Sequence, residues 1–309
     1  MKVLEVIKSG AEFLAKKDVE SPRLQVELLL AEVLVLPRMG LYLNFERILT
    51  PPEIDRIREM LKRRARREPL QHILGHTSFC GLDLLVNRNV LVPRPETEML
   101  AEFGWNFLNQ QLSSPHLEEA SDATDAGDPP QNDGKETLSV LDFGTGSGCL
   151  AILLATKSPQ ARVYALDKSP EALETARQNA AKHGVEGRIS FWHGDAFGSV
   201  PAGQTFDLIV SNPPYIPSGE IPTLDAEVSE FDPLMALDGG ADGLDFYRLL
   251  ATESARFLKS DGCVALEFGD GQAAAIQRIF EQENWQITEI HKDLSGRERM
   301  LTVTRSPEC

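Results

Sequence analysis

From residue 138 onward, stretches typical of β-strands alternate with stretches typical of α-helices. In chain order they are a strand at 138–143, a helix at 150–156, a strand at 162–166, a helix at 170–183, and strands at 189–192 and 206–210. Such alternation is typical of an open, mostly parallel sheet wrapped by helices. The chain is therefore predicted to contain an α/β domain, with its ligands bound beyond the carboxyl ends of the strands.

The loop after the first of these strands is rich in glycine. It reads D-F-G-T-G-S-G at residues 142–148. Glycines let a ligand approach the backbone and the following helix N-terminus offers free N–H groups, so a nucleotide-like cofactor is implied. The spacing departs from the dinucleotide fingerprint, which would need glycine in place of Cys149, and the sequence has no G-x-x-x-x-G-K-[ST] phosphate loop. A plain glycine-rich turn is the alternative.

The glycine loop (residues 144–148), with the acid that precedes it, resembles motif I of the class I methyltransferases, which bind S-adenosylmethionine. A second feature agrees with this resemblance. Asp167 ends the next strand 23 positions after Gly144. That separation is close to the offset of about 20 residues at which an acid accepts hydrogen bonds from ribose hydroxyls.

The third strand is followed by Gly194-Asp195-Ala196-Phe197, where the resemblance places the adenine of the cofactor. Asp195 or the backbone beside Ala196 would meet the exocyclic amine, and Phe197 would line the ring. As alternatives, Asp195 is a turn former and Phe197 belongs to the core.

The fourth strand is followed directly by Asn212-Pro213-Pro214-Tyr215. N-P-P-Y resembles the catalytic loop of methyltransferases that modify planar nitrogens, both amides and the exocyclic amines of bases. Because the lone pair of such a nitrogen is delocalised, the enzyme must align and polarise it. Oxygens of Asn212 and Pro213 can accept its N–H groups, Tyr215 can pack on the flat target, and two prolines restrict the loop. No metal or covalent nucleophile is required, and an ordinary turn is the alternative.

A wider resemblance covers most of the chain. It is carried by the stretches EPLQHILG (68–75), LVPRPETE (91–98), SNPPYIP (211–217), ALDGG (236–240), DGL (242–244) and KDLSGR (292–297). They resemble the HemK/PrmC family of peptide chain release factor glutamine methyltransferases, which have a helical N-terminal domain, a hairpin linker and a class I methyltransferase domain. The resemblance implies methylation of the side-chain amide nitrogen of the glutamine in the Gly-Gly-Gln motif of class 1 release factors, with S-adenosyl-L-methionine as cofactor.

The same resemblance implies roles for individual residues. The catalytic residues would be Asn212, Pro213 and Tyr215, and the glutamine would be bound by Asn212, Pro213, Pro214 and Tyr215. The cofactor would be contacted by Gly144, Thr145, Gly146, Ser147, Gly148, Asp167, Asp195, Ala196 and Asn212. Glu96 and Thr97 would line the cofactor pocket, although a helix N-terminus after Pro95 explains them nearly as well. No metal is expected.

The chain is expected to divide into four segments. Residues 1–71 show helical periodicity, with helix starts at Ser21 and Thr50, and predict a small substrate-recognition bundle. Residues 72–109 would hold a hairpin, with strands at 79–86 and 90–92, and a connecting helix. Residues 110–137 are acidic and poor in large apolar side chains, which predicts a disordered insert that departs from the compact linker of the family. Residues 138–309 would form the methyltransferase domain.

Net charge bears on which nitrogen is methylated. The chain of 309 residues carries −16, of which segments 1–109, 110–137 and 138–309 carry +1, −6 and −11. An acidic catalytic half repels a phosphate backbone, and no large target-recognition segment follows the core. Both facts argue against the main alternative, an N(6)-adenine methyltransferase acting on DNA or RNA. A non-catalytic adenosylmethionine-binding scaffold is the other alternative, and the intact Asn212 and Tyr215 count against it.

Two clusters of polar residues have less specific patterns. Seven basic side chains between Arg56 and Arg67 would suit docking of an acidic release-factor surface, and a solvated helix face is the alternative. His72, His76 and Cys80 are spaced four apart, like metal ligands on a helix, but nearby glycines disfavour that helix.

The compartment is predicted from the cysteines and the N-terminus. The four cysteines are far apart and without a C-x-x-C pair, which indicates reduced thiols. The N-terminus has no signal-peptide pattern, and the longest uncharged apolar run is too short to span a bilayer. A cytoplasmic protein without contact to a membrane is expected.

Overall fold

The computed structural model describes residues 1–113 and 137–306. The chain forms a helical domain, passes through a hairpin and a long helix, and then builds a seven-stranded sheet flanked by helices. Of the predicted acidic insert, residues 110–112 form the end of the long helix, and residues 114–136 lie outside the described residues.

The N-terminal domain contains four helices, α1 (Val3–Ala15), α2 (Pro22–Leu34), α3 (Pro51–Ala65) and α4 (Leu70–Leu74). Their apolar faces meet in one core, to which Leu14, Leu30 and Ile57 contribute fully buried side chains. The predicted start of α3 is confirmed, because the backbone N–H of Thr50 donates to Glu53 Oε2 at 2.8 Å and the two residues form a capping box.

The hairpin lies at a different place from the one predicted. Its strands are β1 (His76–Phe79) and β2 (Leu82–Leu85), paired antiparallel, and residues 90–92 are not a strand. The turn falls on Cys80 and Gly81, both with positive φ (46° and 80°). Two central residues with positive φ are what a two-residue type I′ turn requires. The apolar run 79–86 was predicted as one strand because Cys80 is an unusual residue for that turn.

The second domain begins with α5 (Thr97–Leu112) and continues as an alternation of strands and helices. The strands are β3 (Ser139–Phe143), β4 (Arg162–Asp167), β5 (Ile189–His193), β6 (Phe206–Ser211), β7 (Leu258–Glu267), β8 (Trp285–Lys292) and β9 (Glu298–Arg305). The helices are α6 (Cys149–Lys157), α7 (Pro170–Lys182), α8 (Ala226–Ser229), α9 (Leu234–Leu237), α10 (Asp245–Glu253) and α11 (Ala273–Gln282).

The sheet has the order β5-β4-β3-β6-β7-β9-β8. The five strands from β5 to β7 are parallel, and β9 is antiparallel to both of its neighbours. The predicted α/β class with a mostly parallel sheet is therefore confirmed. Strands β7 to β9 lie beyond the last strand that the sequence pattern predicted.

Alternate residues of each strand face opposite helical layers, as the two-residue period of a strand requires. Val140 packs with α5 and α6 in one core, whereas Leu141 packs with α10 and α11 in another. Both faces of the central strands are covered, which explains their nearly continuous apolar sequences.

The order of strands reverses direction between β3 and β6. After β3 the chain adds β4 and β5 on one side, and then crosses to β6 and β7 on the other. Loops that leave the carboxyl ends of two such strands diverge and open a crevice. The glycine loop and the loop of residues 212–215, here called the NPPY loop, leave the sheet at this point.

In the part of the chain that the structure describes, no helix combines the length and apolar character needed to cross a membrane.

Candidate active site

Four positions, three of them occupied by polar side chains, stand level at the carboxyl edge of the sheet. The register pairs Phe143 with Leu166 and Ser211 with Leu266, and Ser211 Oγ donates to the Phe143 carbonyl oxygen at 2.7 Å. Continuing the register by one residue produces a row that reads Asp167, Gly144, Asn212 and Glu267. The sheet therefore brings together the glycine loop, the acid after β4 and the NPPY loop.

The backbone of the glycine loop is left-handed at three positions. Gly144, Gly146 and Gly148 have φ of 77°, 54° and 82°. A Cβ built on Gly144 or Gly146 would meet no described atom within 4 Å, whereas one on Gly148 would lie 3.0 Å from Ala176 Cβ. The first two glycines thus leave space beside the backbone for a ligand, and the third permits close packing of α7.

Asp142, the acid before the loop, is completely buried. Its Oδ2 accepts hydrogen bonds from Thr145 Oγ1 at 2.6 Å and from the Ala151 N–H at 3.0 Å, and its Oδ1 has no partner among the described residues. Burial raises the pKa of Asp142 to about 7. The Thr145 side chain is thus hydrogen-bonded inside the loop, and Ser147 is also buried. The predicted cofactor contacts of these two residues stay predictions, and they would be made through the backbone.

Asp167 is tied to the glycine loop. Its Oδ2 accepts the Gly146 N–H at 2.8 Å, and its Oδ1 accepts the Ser169 N–H at 2.9 Å. Burial raises the pKa of Asp167, and the hydrogen bonds from these backbone groups oppose that rise. Each carboxylate oxygen keeps a further lone pair, so the predicted contact with ribose hydroxyls stays a prediction that this geometry permits.

The loop after β5 presents a mixed outcome. Asp195 is exposed and pairs with Lys168 Nζ at 2.7 Å, and Ala196 has φ of 53°. The Phe197 ring is stacked on Phe257, with centroids 4.9 Å apart, and is almost fully buried. Phe197 therefore belongs to the core, as its alternative interpretation expected, and the contacts of Asp195 and Ala196 with the cofactor stay predictions.

The NPPY loop is held rigidly from two directions. The Tyr215 carbonyl oxygen accepts a hydrogen bond from Gln272 Nε2 at 2.9 Å, and the Ile216 N–H donates to the Leu237 carbonyl oxygen at 3.0 Å. A Cβ on Gly239 would lie 2.8 Å from the Pro214 carbonyl oxygen. Glycine in the ALDGG stretch is thus explained by close approach to this loop.

A cavity of about 300 Å³ opens in front of the NPPY loop. Its lining combines part of that loop with residues from five other segments: Leu91, Arg94, Glu96, Asn212, Pro213, Tyr215, Ile216, Leu224, Val228, Ala236, Leu237, Glu267 and Arg299. Burial raises the pKa of Tyr215 to about 12, so its phenol is neutral at physiological pH. The predicted catalytic residues Asn212, Pro213 and Tyr215 thus share one cavity.

Both arginines of the cavity are paired with an acid. Arg94 NH2 lies 2.8 Å from Asp232 Oδ2, and Arg299 Nε lies 3.2 Å from Asp293 Oδ2. Burial raises the pKa of Asp232 to about 6, and Arg94 opposes that rise. Neither arginine is therefore a free basic group that could bind phosphates.

Several residues of the site were not predicted from the sequence. Arg94, Glu267 and Arg299 were not predicted, whereas Glu96 and Thr97 were predicted for the cofactor pocket. Glu96 lines the cavity, and Thr97 is buried and accepts a hydrogen bond from Asn212 Nδ2 at 3.0 Å. The signal that could have identified Glu267 is an acid at the end of the apolar run 263–266.

Most of the basic side chains at 56–67 have partners within the chain. Among the basic side chains at 56–67, Arg64 is buried and lies 2.6 Å from Glu227 on α8, and Arg67 lies 3.0 Å from the same carboxylate. Ion pairs within the chain also engage Arg56, Arg58, Lys62 and Arg63. Arg64 is thus not available for docking a release factor. Among the described residues, no group of three or more His, Cys, Asp or Glu side chains is arranged to hold a metal.

Family models match two parts of the sequence. Residues 5–75 match the PrmC N-terminal domain, and residues 131–225 match the methyltransferase small domain. The chain is 40% identical over 290 residues to the release factor glutamine methyltransferase of Geobacter sulfurreducens, covering 94% of this chain and 92% of that protein. It is also 40% identical over 280 residues to that of Chlorobaculum tepidum, covering 90% and 88%.

Solved structures share the fold. A methyltransferase from Pyrococcus furiosus superposes with a TM-score of 0.50 at 20% identity, covering 80% of this chain and 99% of that one. The hMettl16 catalytic domain, solved in complex with an RNA hairpin, superposes with a TM-score of 0.53 at 13% identity, covering 81% and 83%. At these identities the likeness concerns the fold alone.

Proposed function

The chain belongs to the release factor glutamine methyltransferase family, and we propose that it methylates the side-chain amide nitrogen of the glutamine in the Gly-Gly-Gln motif of class 1 release factors. The observation that carries this proposal is the placement of the NPPY loop. Asn212, Pro213 and Tyr215 line one cavity, and Asn212 is level with Gly144 at the carboxyl edge of the sheet. A planar nitrogen in the cavity would therefore meet its acceptors next to the glycine loop.

The residues around the glycine loop fit S-adenosylmethionine. This molecule carries an ammonium, a sulfonium and two ribose hydroxyls, so it needs acidic groups and room beside the backbone. Asp142 Oδ1 is a buried carboxylate oxygen without a partner in the described chain, and the Cβ positions of Gly144 and Gly146 face open space. The backbone of residues 144–148, Asp167 and Asn212 would hold the cofactor. When bound, it supplies an electrophilic methyl group.

The chain's own residues act on the amide. Asn212 Oδ1 and the Pro213 carbonyl oxygen accept its two N–H groups, which fixes the plane of the amide and stabilises the positive charge that develops on nitrogen during transfer. Tyr215 packs against the flat group and, being neutral, offers a surface rather than a base. The loop is already braced by Gln272, so these acceptors need little reorganisation.

Charge on this domain supports a protein substrate over a nucleic acid. The two arginines at the cavity, Arg94 and Arg299, are neutralised by Asp232 and Asp293, and residues 138–309 carry −11. An adenine methyltransferase needs free positive charge to offset the phosphates that flank its target base. The proposed partners are thus class 1 release factors, and the proposed place of action is the cytoplasm, since release factors work on ribosomes.

Mass spectrometry of a release factor incubated with the protein and S-adenosylmethionine tests the proposal. One added methyl group on the Gly-Gly-Gln glutamine is expected. Asn212→Ala should abolish it, whereas Asn89→Ala, the same change at an exposed position that does not line the cavity, should not. In a parallel assay with labelled cofactor, the proposal would be wrong if DNA or RNA became labelled while the release factor did not.

A further inference from the structure

The Asn212 side-chain amide is hydrogen-bonded to Thr97, a residue far away in sequence. Its Nδ2 donates to Thr97 Oγ1 at 3.0 Å, across a separation of 115 residues. Thr97 is the first residue of α5 and is only 2% exposed. The contact is therefore made inside the protein, on the side of Asn212 away from solvent.

Glu267 completes the arrangement. It is the last residue of β7, stands level with Asn212 on the neighbouring strand and is 2% exposed. The Thr97 hydroxyl and the Asn212 amide both stabilise its charged form by hydrogen bonding. Its Oε2 has no partner in the described part of the chain. The Glu267 carboxylate thus loses its hydration on burial and gains only a few hydrogen bonds in return.

We infer that Thr97 and Glu267 are positioning residues that fix the orientation of the Asn212 amide, so that its oxygen faces the glutamine. The inference rests on the function proposed above. An ionised carboxylate can only accept hydrogen bonds. The single Thr97 hydroxyl proton is then donated to Glu267, and its oxygen accepts from Asn212. Asn212 must therefore turn its NH2 inward and its Oδ1 outward.

The opposite orientation of the amide is disfavoured by repulsion. A rotated Asn212 would place Oδ1 against the Glu267 carboxylate, with no proton between the two oxygens, and would turn its NH2 toward the donor N–H groups of the glutamine. Preorganising the acceptor in this way acts on the reacting nitrogen only through Asn212. Neither Thr97 nor Glu267 needs to touch the substrate.

The charge state of Glu267 makes the arrangement sensitive to pH. Burial raises the pKa of Glu267 to about 7. Below that pH the neutral carboxyl can donate its proton to Thr97, and the direction of the hydrogen bonds is no longer fixed. The charged and titratable groups that face Glu267 are Glu96, which raises its pKa, Arg299, which lowers it, and Cys149, Tyr215 and Tyr247.

Steady-state kinetics with a release factor, at saturating S-adenosylmethionine, separate positioning from folding. Thr97→Val should lower kcat about tenfold, the loss expected for one hydrogen bond, with KM changed less than about threefold. Thr97→Ser keeps the hydroxyl and should restore kcat. Thr302→Val removes an equally buried hydroxyl, which donates to the Glu289 carbonyl oxygen on the sheet, and should leave kcat unchanged.

A pH profile of kcat provides the second readout. The wild-type rate should fall as pH drops through about 7, and Glu267→Gln should lower the plateau and displace this acid limb. The pKa of Asp142 lies in the same range. The acid limb of the kcat profile is therefore assigned to Glu267 only if it shifts in Glu267→Gln.

The outcomes distinguish a failure of the proposed function from a failure of the positioning role. If the wild-type protein methylates no release factor, the proposed function is wrong. If it does, but Thr97→Val keeps kcat within about twofold or Thr97→Ser fails to rescue it, the positioning role is wrong. If Thr97→Val and Thr302→Val lose kcat and melting temperature to the same extent, Thr97 only supports folding, and the positioning role is wrong as well. A Glu267→Gln profile that overlays the wild type would do the same.

Discussion

Gly146 donates its backbone N–H to Asp167 Oδ2 at 2.8 Å, so the glycine loop is fastened to the end of the neighbouring strand β4. One carboxylate thus shapes the loop and faces the space that the loop leaves open. Asp167→Ala should weaken binding of S-adenosylmethionine by about tenfold or more, because it removes a charged acceptor and loosens the loop. Isothermal titration calorimetry measures this, with Asp261→Ala at an exposed position as control. Equal affinities for the two variants would contradict the assignment.

The missing side chain of Gly148 makes room for α7. A Cβ there would press against Ala176 at 3.0 Å with φ of 82°, whereas at Gly184, with φ of 66°, a Cβ would meet no described atom within 4 Å. Gly148→Ala should lower the free energy of unfolding by about 2–4 kcal/mol, and Gly184→Ala by only about 1 kcal/mol, the cost of the left-handed backbone. Chemical denaturation compares the two. Similar losses would show that α7 moves aside easily.

Tyr215 is expected to work through its ring. Because burial raises its pKa to about 12, the hydroxyl does not serve as a base near neutral pH. Tyr215→Phe should keep kcat/KM within about threefold, whereas Tyr215→Ala should lower it by about a hundredfold through loss of packing against the amide. Kinetics on a release factor test this pair. A phenylalanine variant as inactive as the alanine variant would assign chemistry to the hydroxyl.

The Arg64–Glu227 ion pair is expected to join the helical domain to the cavity wall. Arg64 is 2% exposed, and Glu227 lies on α8 between the cavity-lining residues Leu224 and Val228. Glu227→Gln should cost about 1–3 kcal/mol, because it leaves a buried guanidinium without its counter-charge, with the lower end favoured by partial exposure of the acid. Asp55→Asn breaks the exposed pair with Arg58 and should cost under about 0.5 kcal/mol. Urea denaturation measures both, and equal costs would show that the buried pair is unimportant.

The pH dependence of stability should reveal Glu267 in the protein without cofactor. Folding raises its pKa from 4.5 to about 7, so the folded state keeps a proton that the unfolded state has already lost. Its contribution to the free energy of unfolding therefore falls as pH rises between those two values, by at most about 3 kcal/mol. Glu267→Gln should make stability less dependent on pH in this window. Asp242→Asn, where the pKa is lowered, should leave the dependence unchanged there. An unaltered slope in Glu267→Gln would contradict the burial argument.

The parts of the site that could be predicted from sequence are those that lie in continuous motifs at strand ends. Gly144, Asp167 and Asn212 each follow or end a recognisable strand, and parallel strands bring their carboxyl ends to one edge. The family resemblance and the methyltransferase activity that it implied are confirmed by relatives that are 40% identical over most of the chain. These features depend on local sequence, which explains why they were found.

The remaining features depend on contacts between distant segments. Thr97 reaches Asn212 only because α5 packs against β6 and β7, and Glu267 belongs to a strand that the sequence pattern did not predict. The hairpin turn was predicted at the wrong place because Cys80 adopts a left-handed conformation, which a cysteine in the sequence does not predict. Arg64 looked like one charge among seven, and its burial follows from a partner 163 residues away.

That separation has a consequence for synthesis on the ribosome. The N-terminal bundle is made first. Glu227, which neutralises Arg64, emerges only after strands β3 to β6 have been translated. Until then the bundle carries a guanidinium that must stay hydrated at its surface. The Arg64–Glu227 pair can therefore form as soon as α8 emerges, before translation of strands β7 and β9, which carry the cavity residues Glu267 and Arg299.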